Sequence, residues 1–592
     1  MKRMVSLLVL LSLAIAFPAA AAQTYSAPSE FSRDAIGVKS YPAAPRLAEQ
    51  AAIAPAATLG AAAETAPEEL AALREWNDAG RLPLKNGFTR AIGDPISVRL
   101  DGAVAAKSGA SALARGVVAA SEHGTIVWSG AVRIESAYRV RLHLTNVKLP
   151  EGATLWVYGA GGTPIGFGKE ILHEGSLYAP SVNGPTVWLE VEIASPKSAG
   201  DGASFEIRDL LEIVPNEGLR TFQPQPNDSP SCLIDATCVS TATFPSIAAA
   251  RTGIAHLEYV KSGSGFVCSG GLINDKVPAP SFIPYLLTAN HCFDSQASAS
   301  TLETYFDYKT SSCNAAFPPF PTPQVGSTLL ATSTTSDFTF VRLNSIPAGR
   351  TFLGWTTVAQ GAGTKLYRVS HPFPDSYNVP APQFYSDATT STTFGVCSNR
   401  PLANYLYSVG GQGGTYGGSS GSPVLLADGS VVGQLFGACG SAPNDGCDRV
   451  NNAAVDGRFA TTFPSIEQYI NVTGGSQGCT ENATTLCLSN NRFRVQGTYQ
   501  TSSGLSGSAN VVELTGDTGY LWFFSSSNVE VVIKVLNACG INGYWVFAAG
   551  LTDVRVTLTV TDTQTGAVRQ YTNNLGTAFQ PIQDTSAFST CP

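Results

Sequence analysis

Ser420 lies in the run GGTYGGSSGSPVLL, a Gly/Ser-rich turn that passes directly into an apolar strand. A nucleophilic serine needs such a turn. Its backbone must fold tightly and aim N–H groups at the oxygen that becomes negative when the hydroxyl attacks a carbonyl. Gly417, Gly418 and Gly421 permit the turn, because glycine tolerates positive φ. The N–H groups of Gly418 and Ser420 are the candidate oxyanion donors. A flexible Gly/Ser loop would read the same way in isolation. His291, in IPYLLTANHCF, sits on a short polar turn after an apolar strand, and Cys292 beside it could pin that turn by a disulfide. Cys268, in FVCSGGLI on a neighbouring strand, is the obvious partner. Asp337, in TTSDFTFVRL, opens another apolar strand, where a carboxylate is half buried and able to hold an imidazole in one tautomer. A lone histidine or a strand-capping aspartate is more often structural. Three such segments in the order His, Asp, Ser reinforce one another and point to acyl transfer with a serine nucleophile, a histidine base and an orienting acid.

Other residues compete for these roles. The chain has six histidines; only His256, His291 and His371 fall near these segments. His371, in VSHPFPD, is a rival base, although His-Pro at a strand end is more often structural. Asp307, in TYFDY, lies inside a strand pattern and ranks behind Asp337. Trp355 and Phe436 either flank a bound side chain or serve as core aromatics. No C-x-x-C pair is present, which argues against zinc. No metal or other cofactor is expected, and no loop demands calcium.

The elements that must position these residues are strands. Charged residues make up 14% of the 592, and Gly (58), Ser and Thr are abundant around recurring strand-like runs. That is a β-rich extracellular composition, and the length suggests three or more domains at about 100–200 residues each. A net charge of −8 gives no footprint for nucleic acid, and no basic cluster marks a membrane surface. Residues 1–22 read as a cleaved signal peptide, with Lys2 and Arg3 before an apolar stretch and small residues at the cut, so the protein is expected outside the cell. Residues 23–86 form an Ala/Pro-rich leader, largely disordered, with one helix at 67–79. Residues 87–215 alternate apolar and polar positions in AYRVRLHLTNVKL and TVWLEVEIAS, the pattern of an antiparallel β-sandwich. Residues 216–231 are an exposed linker and processing site, 232–472 a block of strands ending in a helix begun by Pro464, and 473–478 a second linker. Residues 479–592 form a small accessory β-domain without a catalytic cluster. The twelve cysteines are even in number and begin at Cys232, so the Cys-free region before it follows a different rule.

LTANHC, SDFTFVRL and GSSGSPV resemble the three signature segments of the chymotrypsin-like (trypsin-fold) serine peptidases, most closely the bacterial lysyl endopeptidase-like branch. SCLIDATC, VVGQLFGACG and DGRF are similar to that branch too, and the resemblance covers about 240 residues. It implies an all-β protein: a catalytic double β-barrel flanked by an N-terminal β-sandwich pro-domain and a C-terminal small β-domain. It implies His291 as general base, Asp337 orienting it, Ser420 as nucleophile, and Gly418 and Ser420 as the oxyanion hole. The strand at 433–437 would pair with the bound peptide, and Gly414, Phe436, Gly437, Ala454 and Asp456 would shape its pocket. The implied disulfides are Cys268–Cys292, Cys238–Cys313, Cys232–Cys439 and Cys397–Cys447.

Two departures qualify what the resemblance implies. Ser419 stands where many trypsin-fold enzymes have an acid that pairs with the new N-terminus, so activation by that ion pair is not expected. Ala454 aligns with the aspartate that holds a substrate ammonium in lysyl endopeptidases, and Gly414 occupies the acid position six before the nucleophile. A neutral pocket favours apolar or small side chains, since burying an unpaired ammonium is costly. The expected product is a secreted, monomeric serine endopeptidase made as a zymogen, with protein or peptide substrates and its own pro-domain as partners. An esterase would need a different motif order. A β-rich adhesin with a degenerate protease core is the alternative of a different class.

Overall fold

Apolar runs bounded by glycine-rich turns become antiparallel strands throughout the chain, and the computed structural model is all-β. The structure describes residues 24–471 and 479–590, apart from 40, 42, 48–59, 62–65, 101–115, 121–124, 136, 195–201, 215–231, 277–281, 373–381, 392–399, 444, 480, 490, 540, 542 and 564–566. The signal segment, the linkers at 216–231 and 473–478, and Cys397 therefore lie outside the described residues.

The central block is a pair of barrels. In the second, Lys365–Ser370, Phe384–Thr390, Tyr405–Val409, Asn452–Arg458, Val431–Gly440 and Pro423–Leu425 pair in that order and return to Lys365–Ser370, closing the ring. In the first, Glu303–Tyr305, Ile254–Lys261, Ser264–Leu272, Tyr285–Ala289, Phe338–Leu343 and Ser327–Ser333 pair in succession. Closure removes the unpaired edges that an open sheet would present. The barrels are followed by the helix Phe459–Ile470. It starts five residues before Pro464, where the sequence suggested it would begin. Phe459, Phe463, Ile466 and Ile470 make one buried stripe, with Phe459 and Phe463 against Trp355. Burial of that stripe outweighs the one backbone bond that proline cannot donate. Trp355, fully buried with its indole N–H on Asn274 O, is a core aromatic.

Before the barrels, Leu84–Leu100, Ala203–Ile213 and Arg139–Lys148 form one sheet of a sandwich, and Thr125–Arg133, Thr186–Ala194 and Thr154–Gly159 form the other. The alternation in Arg139–Lys148 puts Val140, Leu142 and Leu144 into the sandwich core. A period of two turns Arg139 and Arg141 to the opposite face, and that face lies on the first barrel. Leu84–Leu100 pairs with the edge of Ser264–Leu272, so one sheet runs from the sandwich into the barrel. Arg139 holds both carboxylate oxygens of Glu258, at 2.8 and 3.0 Å. Arg141 lies 3.4 Å from Glu303, with neither side chain exposed. The C-terminal domain is a separate sandwich of two five-stranded sheets with its own core.

The leader departs from the disorder its composition suggests. Ser26–Ala27 pairs with Trp355–Thr356 and Glu30–Ser32 pairs with Arg350–Phe352, whereas the helix Pro67–Asp78 is the one expected at 67–79. The strands Arg350–Phe352 and Trp355–Thr356, outside the two barrel rings, supply the backbone partners that a weakly apolar segment cannot supply itself. Tyr25 stacks on Phe463 with 5.0 Å between ring centroids. Tyr25→Ala should therefore lower the stability of the full chain by about 1 kcal/mol, read as a lower Tm in thermal unfolding. An unchanged Tm would mean that the leader contributes nothing there.

Candidate active site

The turn at Ser420 is built by its glycines and by the first barrel. A Cβ at Gly421 (φ +78°) would lie 2.2 Å from Thr288 Oγ1 and 2.8 Å from Ala289 N, so only glycine lets this turn approach the strand that leads to His291. Ser269 N–H donates to Ser420 O (2.8 Å), and Ser269 Oγ donates to Gly418 O (2.9 Å). Gly418 takes φ +96°. Among the described residues, the Gly418 and Ser420 amides donate to no other backbone carbonyl. Ser419, where an acid was absent from the sequence, is fully buried, and its hydroxyl accepts from Ser370 Oγ at 3.1 Å.

His291 and Asp337 meet twice. The imidazole Nδ1 is 2.7 Å from Asp337 Oδ2, and the His291 backbone N–H donates to Asp337 Oδ1 at 2.9 Å. Asp337 has φ +53°, a strained value for a residue with a side chain. Its backbone is held by Asn290 N–H, donating to its carbonyl at 3.0 Å, and by Gln434 Nε2, donating to Ser336 O at 2.6 Å and Asp337 O at 3.2 Å. Gln434 was not singled out in the sequence; its position one strand away carries no local signal. The ring of Phe436 meets the His291 ring edge-on at 5.8 Å and carries the Arg400 guanidinium on a 4.3 Å approach. Phe436 is thus a wall beside the imidazole.

Ser420 opens on a groove of about 310 Å³ whose barrel side includes Thr415, Tyr416, Gly417, Leu435, Gly437 and Pro443. Of the five residues expected to shape a pocket, Gly437 lines this groove. Gly414 is buried, and a Cβ there would lie 2.6 Å from Gly446 O. Ala454 faces a different, internal cavity with Arg368, Asp387 and Arg449. Asp456 is a correction to the expected substrate set. It is fully buried and paired to Arg368 Nη2 at 2.6 Å, turned into the barrel rather than toward the groove. Burial holds its carboxyl above the ordinary range. The rivals fall away: Asp307 is tied to Arg350 and Lys309, and His371 is buried, 5.6 Å from the His256 ring.

The disulfides Cys268–Cys292 and Cys238–Cys313 are present. Cys232 bonds Cys447, not Cys439, and this also excludes Cys397–Cys447. Cys439 points into a cluster with Tyr405, Tyr407 and Val455, away from the start of the block, whereas Cys447 sits on the following loop. Cys439 is itself disulfide-bonded.

Residues 226–452 match the family model for the lysyl endopeptidase C-terminal domain. A lysyl endopeptidase from Pseudomonas aeruginosa is 24% identical over 329 residues, covering 53% of this chain and 67% of that protein. A secreted RxLR effector protein, number 73, from Plasmopara viticola is 30% identical over 217 residues, 36% of this chain and half of that protein. A serine endoprotease from Yersinia pestis aligns in structure over 41% of this chain and 72% of its own, with 13% identity and a TM-score of 0.26. The chain is a trypsin-like serine endopeptidase. Within that class it is lysyl endopeptidase-like, the similarity falling on the block that holds His291, Asp337 and Ser420.

Proposed function

We propose that the chain is the precursor of a secreted endopeptidase. Residues 232–472 hydrolyse peptide bonds of extracellular proteins, and the sandwich at 87–215 is a pro-domain that stays docked until the chain is cut within 216–231. Residues 1–22 direct export, 479–592 are an accessory domain, and the processed enzyme is a monomer. The observation that supports the reading is the two-point hold of Asp337 on His291, which fixes the imidazole tautomer.

Ser420 Oγ attacks the scissile carbonyl carbon while His291 Nε2 takes its proton. The carbonyl oxygen becomes an oxyanion facing the N–H groups of Gly418 and Ser420. Collapse breaks the C–N bond, and His291 returns the proton to the departing amine, leaving an ester on Ser420. A water then attacks that ester, losing its proton to His291, and His291 passes that proton to Ser420 Oγ as the ester C–O bond breaks, which releases the acid and restores the free hydroxyl. Asp337 keeps its charge throughout and stabilises the imidazolium. The scheme needs neither metal nor cofactor.

A peptide-library digest with the processed enzyme, read by mass spectrometry, tests substrate and chemistry together. Cuts should follow apolar or small residues and vanish in Ser420→Ala. Cuts confined to lysine would contradict the neutral pocket, and cuts that survive in Ser420→Ala would contradict the mechanism.

A further inference from the structure

The residues that face the barrel wall of the groove at Ser420 come from the same chain: Ala79, Gly80, Arg81, Leu82 and Leu84 form its other side. This short strap is clamped at both ends. The helix Pro67–Asp78 delivers it, and Gly80 (φ +64°) turns the chain out of the helix. Trp76 Nε1 donates to Pro83 O at 2.9 Å, and buried Asn77 exchanges two hydrogen bonds with the Lys85 backbone, at 2.9 and 3.0 Å. Beyond Pro83 the chain joins the barrel as an extra strand, with Leu84 opposite Val267 and Lys85 opposite Phe266. Val267 precedes Cys268, which is bridged to Cys292 next to His291. The strap therefore passes the groove through a turn at Ala79–Gly80 and a bend at Leu82–Pro83, and joins a barrel strand from Leu84 onward.

Leu82 is the side chain that leans on the groove wall. A Cβ at Gly437 would lie 3.2 Å from its Cδ1. Its neighbour Arg81 turns away, with its guanidinium 5.4 Å over the Trp76 ring. Among the described residues no carboxylate lines the barrel side of the groove, which suits leucine and not a cation.

We infer that Gly80–Leu84 is a tethered substrate mimic, with Leu82 in the place of the residue before the scissile bond and Pro83 in the place of the residue after it. This inference deepens the endopeptidase and pro-domain reading and rests on it. The nitrogen of the Leu82–Pro83 bond carries no hydrogen and is locked in a ring, so it is a poor leaving group for a histidine that must protonate it. The strap walls one side of the groove at Ser420 and resists being cut. It also names the substrate class: proteins with an uncharged, leucine-sized side chain before the cut.

Two variants of the full precursor test this. Pro83→Ala should turn the mimic into a substrate and yield a new N-terminus at position 83 by mass spectrometry. Leu82→Asp should loosen the strap, so that a fluorophosphonate reaches Ser420 at least about tenfold faster than in the parent precursor, the equivalent of one decade in occupancy. A Pro83→Ala chain left uncut at this bond, or a Leu82→Asp chain labelled no faster than the parent, overturns the inference. Labelling of the processed parent enzyme at Ser420 separates the two failures: if it occurs, only the strap falls, and if it does not, the endopeptidase mechanism falls with it.

Discussion

Ser420→Ala should slow peptide hydrolysis by the processed enzyme on the order of 10⁶-fold in kcat, with little change in KM. The loss is large because the hydroxyl forms the covalent bond, while the pocket that binds the peptide is untouched. His291→Ala should cost nearly as much, and the double variant little more, since a base without its nucleophile has no task. Asp337→Asn tests the geometry rather than the attack. Asp337 accepts from both the ring and the backbone of His291; an amide nitrogen at Oδ2 would impose the wrong tautomer and cost about 10⁴-fold. Steady-state kinetics on the four variants checks all of this. Additive losses would show that the residues do not act as a unit.

Arg139→Ala should destabilise the precursor by about 3–5 kcal/mol, because it leaves Glu258 buried without its guanidinium and with only the His256 imidazole, 3.1 Å away, as an ionisable partner. Arg139 and Glu258 are only 2% and 3% exposed, so solvent cannot take over the lost partner. The double variant Arg139→Ala with Glu258→Gln should recover part of the loss, which separates charge from packing. Equilibrium unfolding of the unprocessed chain measures it; an Arg139→Ala chain as stable as the parent would contradict the role given to this pair. The same pair sets a pH window. Burial pushes the Glu258 carboxyl up, but Arg139 and His256 more than offset this and hold it at about 2, below its ordinary 4.5. A depressed carboxyl stabilises the folded form fully above its unfolded value and loses that contribution as pH falls through the folded one. The contact should thus hold at neutral pH and weaken from about pH 4.5 toward about pH 2.

The proposed catalytic residues stand out in the sequence because each sits in a short local pattern. An apolar strand delivers His291, another begins after Asp337, and a glycine turn carries Ser420. The strands of the sandwich were legible for the same reason, since alternation is a local property. The alternation in Arg139–Lys148 did not disclose its second face. A strand that reads apolar-in and polar-out looks solvated, and nothing near Arg139 reports that Glu258, 119 residues on, will bury it. The ordering of residues 24–32 is hidden likewise, because their partners are strands at 350–356, more than 300 residues away. Composition predicts whether a segment can fold on its own, not whether another surface will template it. The pairing of Cys232 with Cys447 instead of Cys439 turned on which way one strand residue faces in the barrel, and spacing does not encode that. Asp456 was misplaced for the same reason: its strand position was right, and its side chain turned inward to Arg368.

The activated hydroxyl at Ser420 is tested most directly by treating the purified, processed enzyme with a fluorophosphonate and mapping the adduct by mass spectrometry. A single adduct on Ser420, lost in His291→Ala while the protein stays folded by circular dichroism, is the expected result. An adduct on another residue, or none on an enzyme that still cleaves protein, would contradict it.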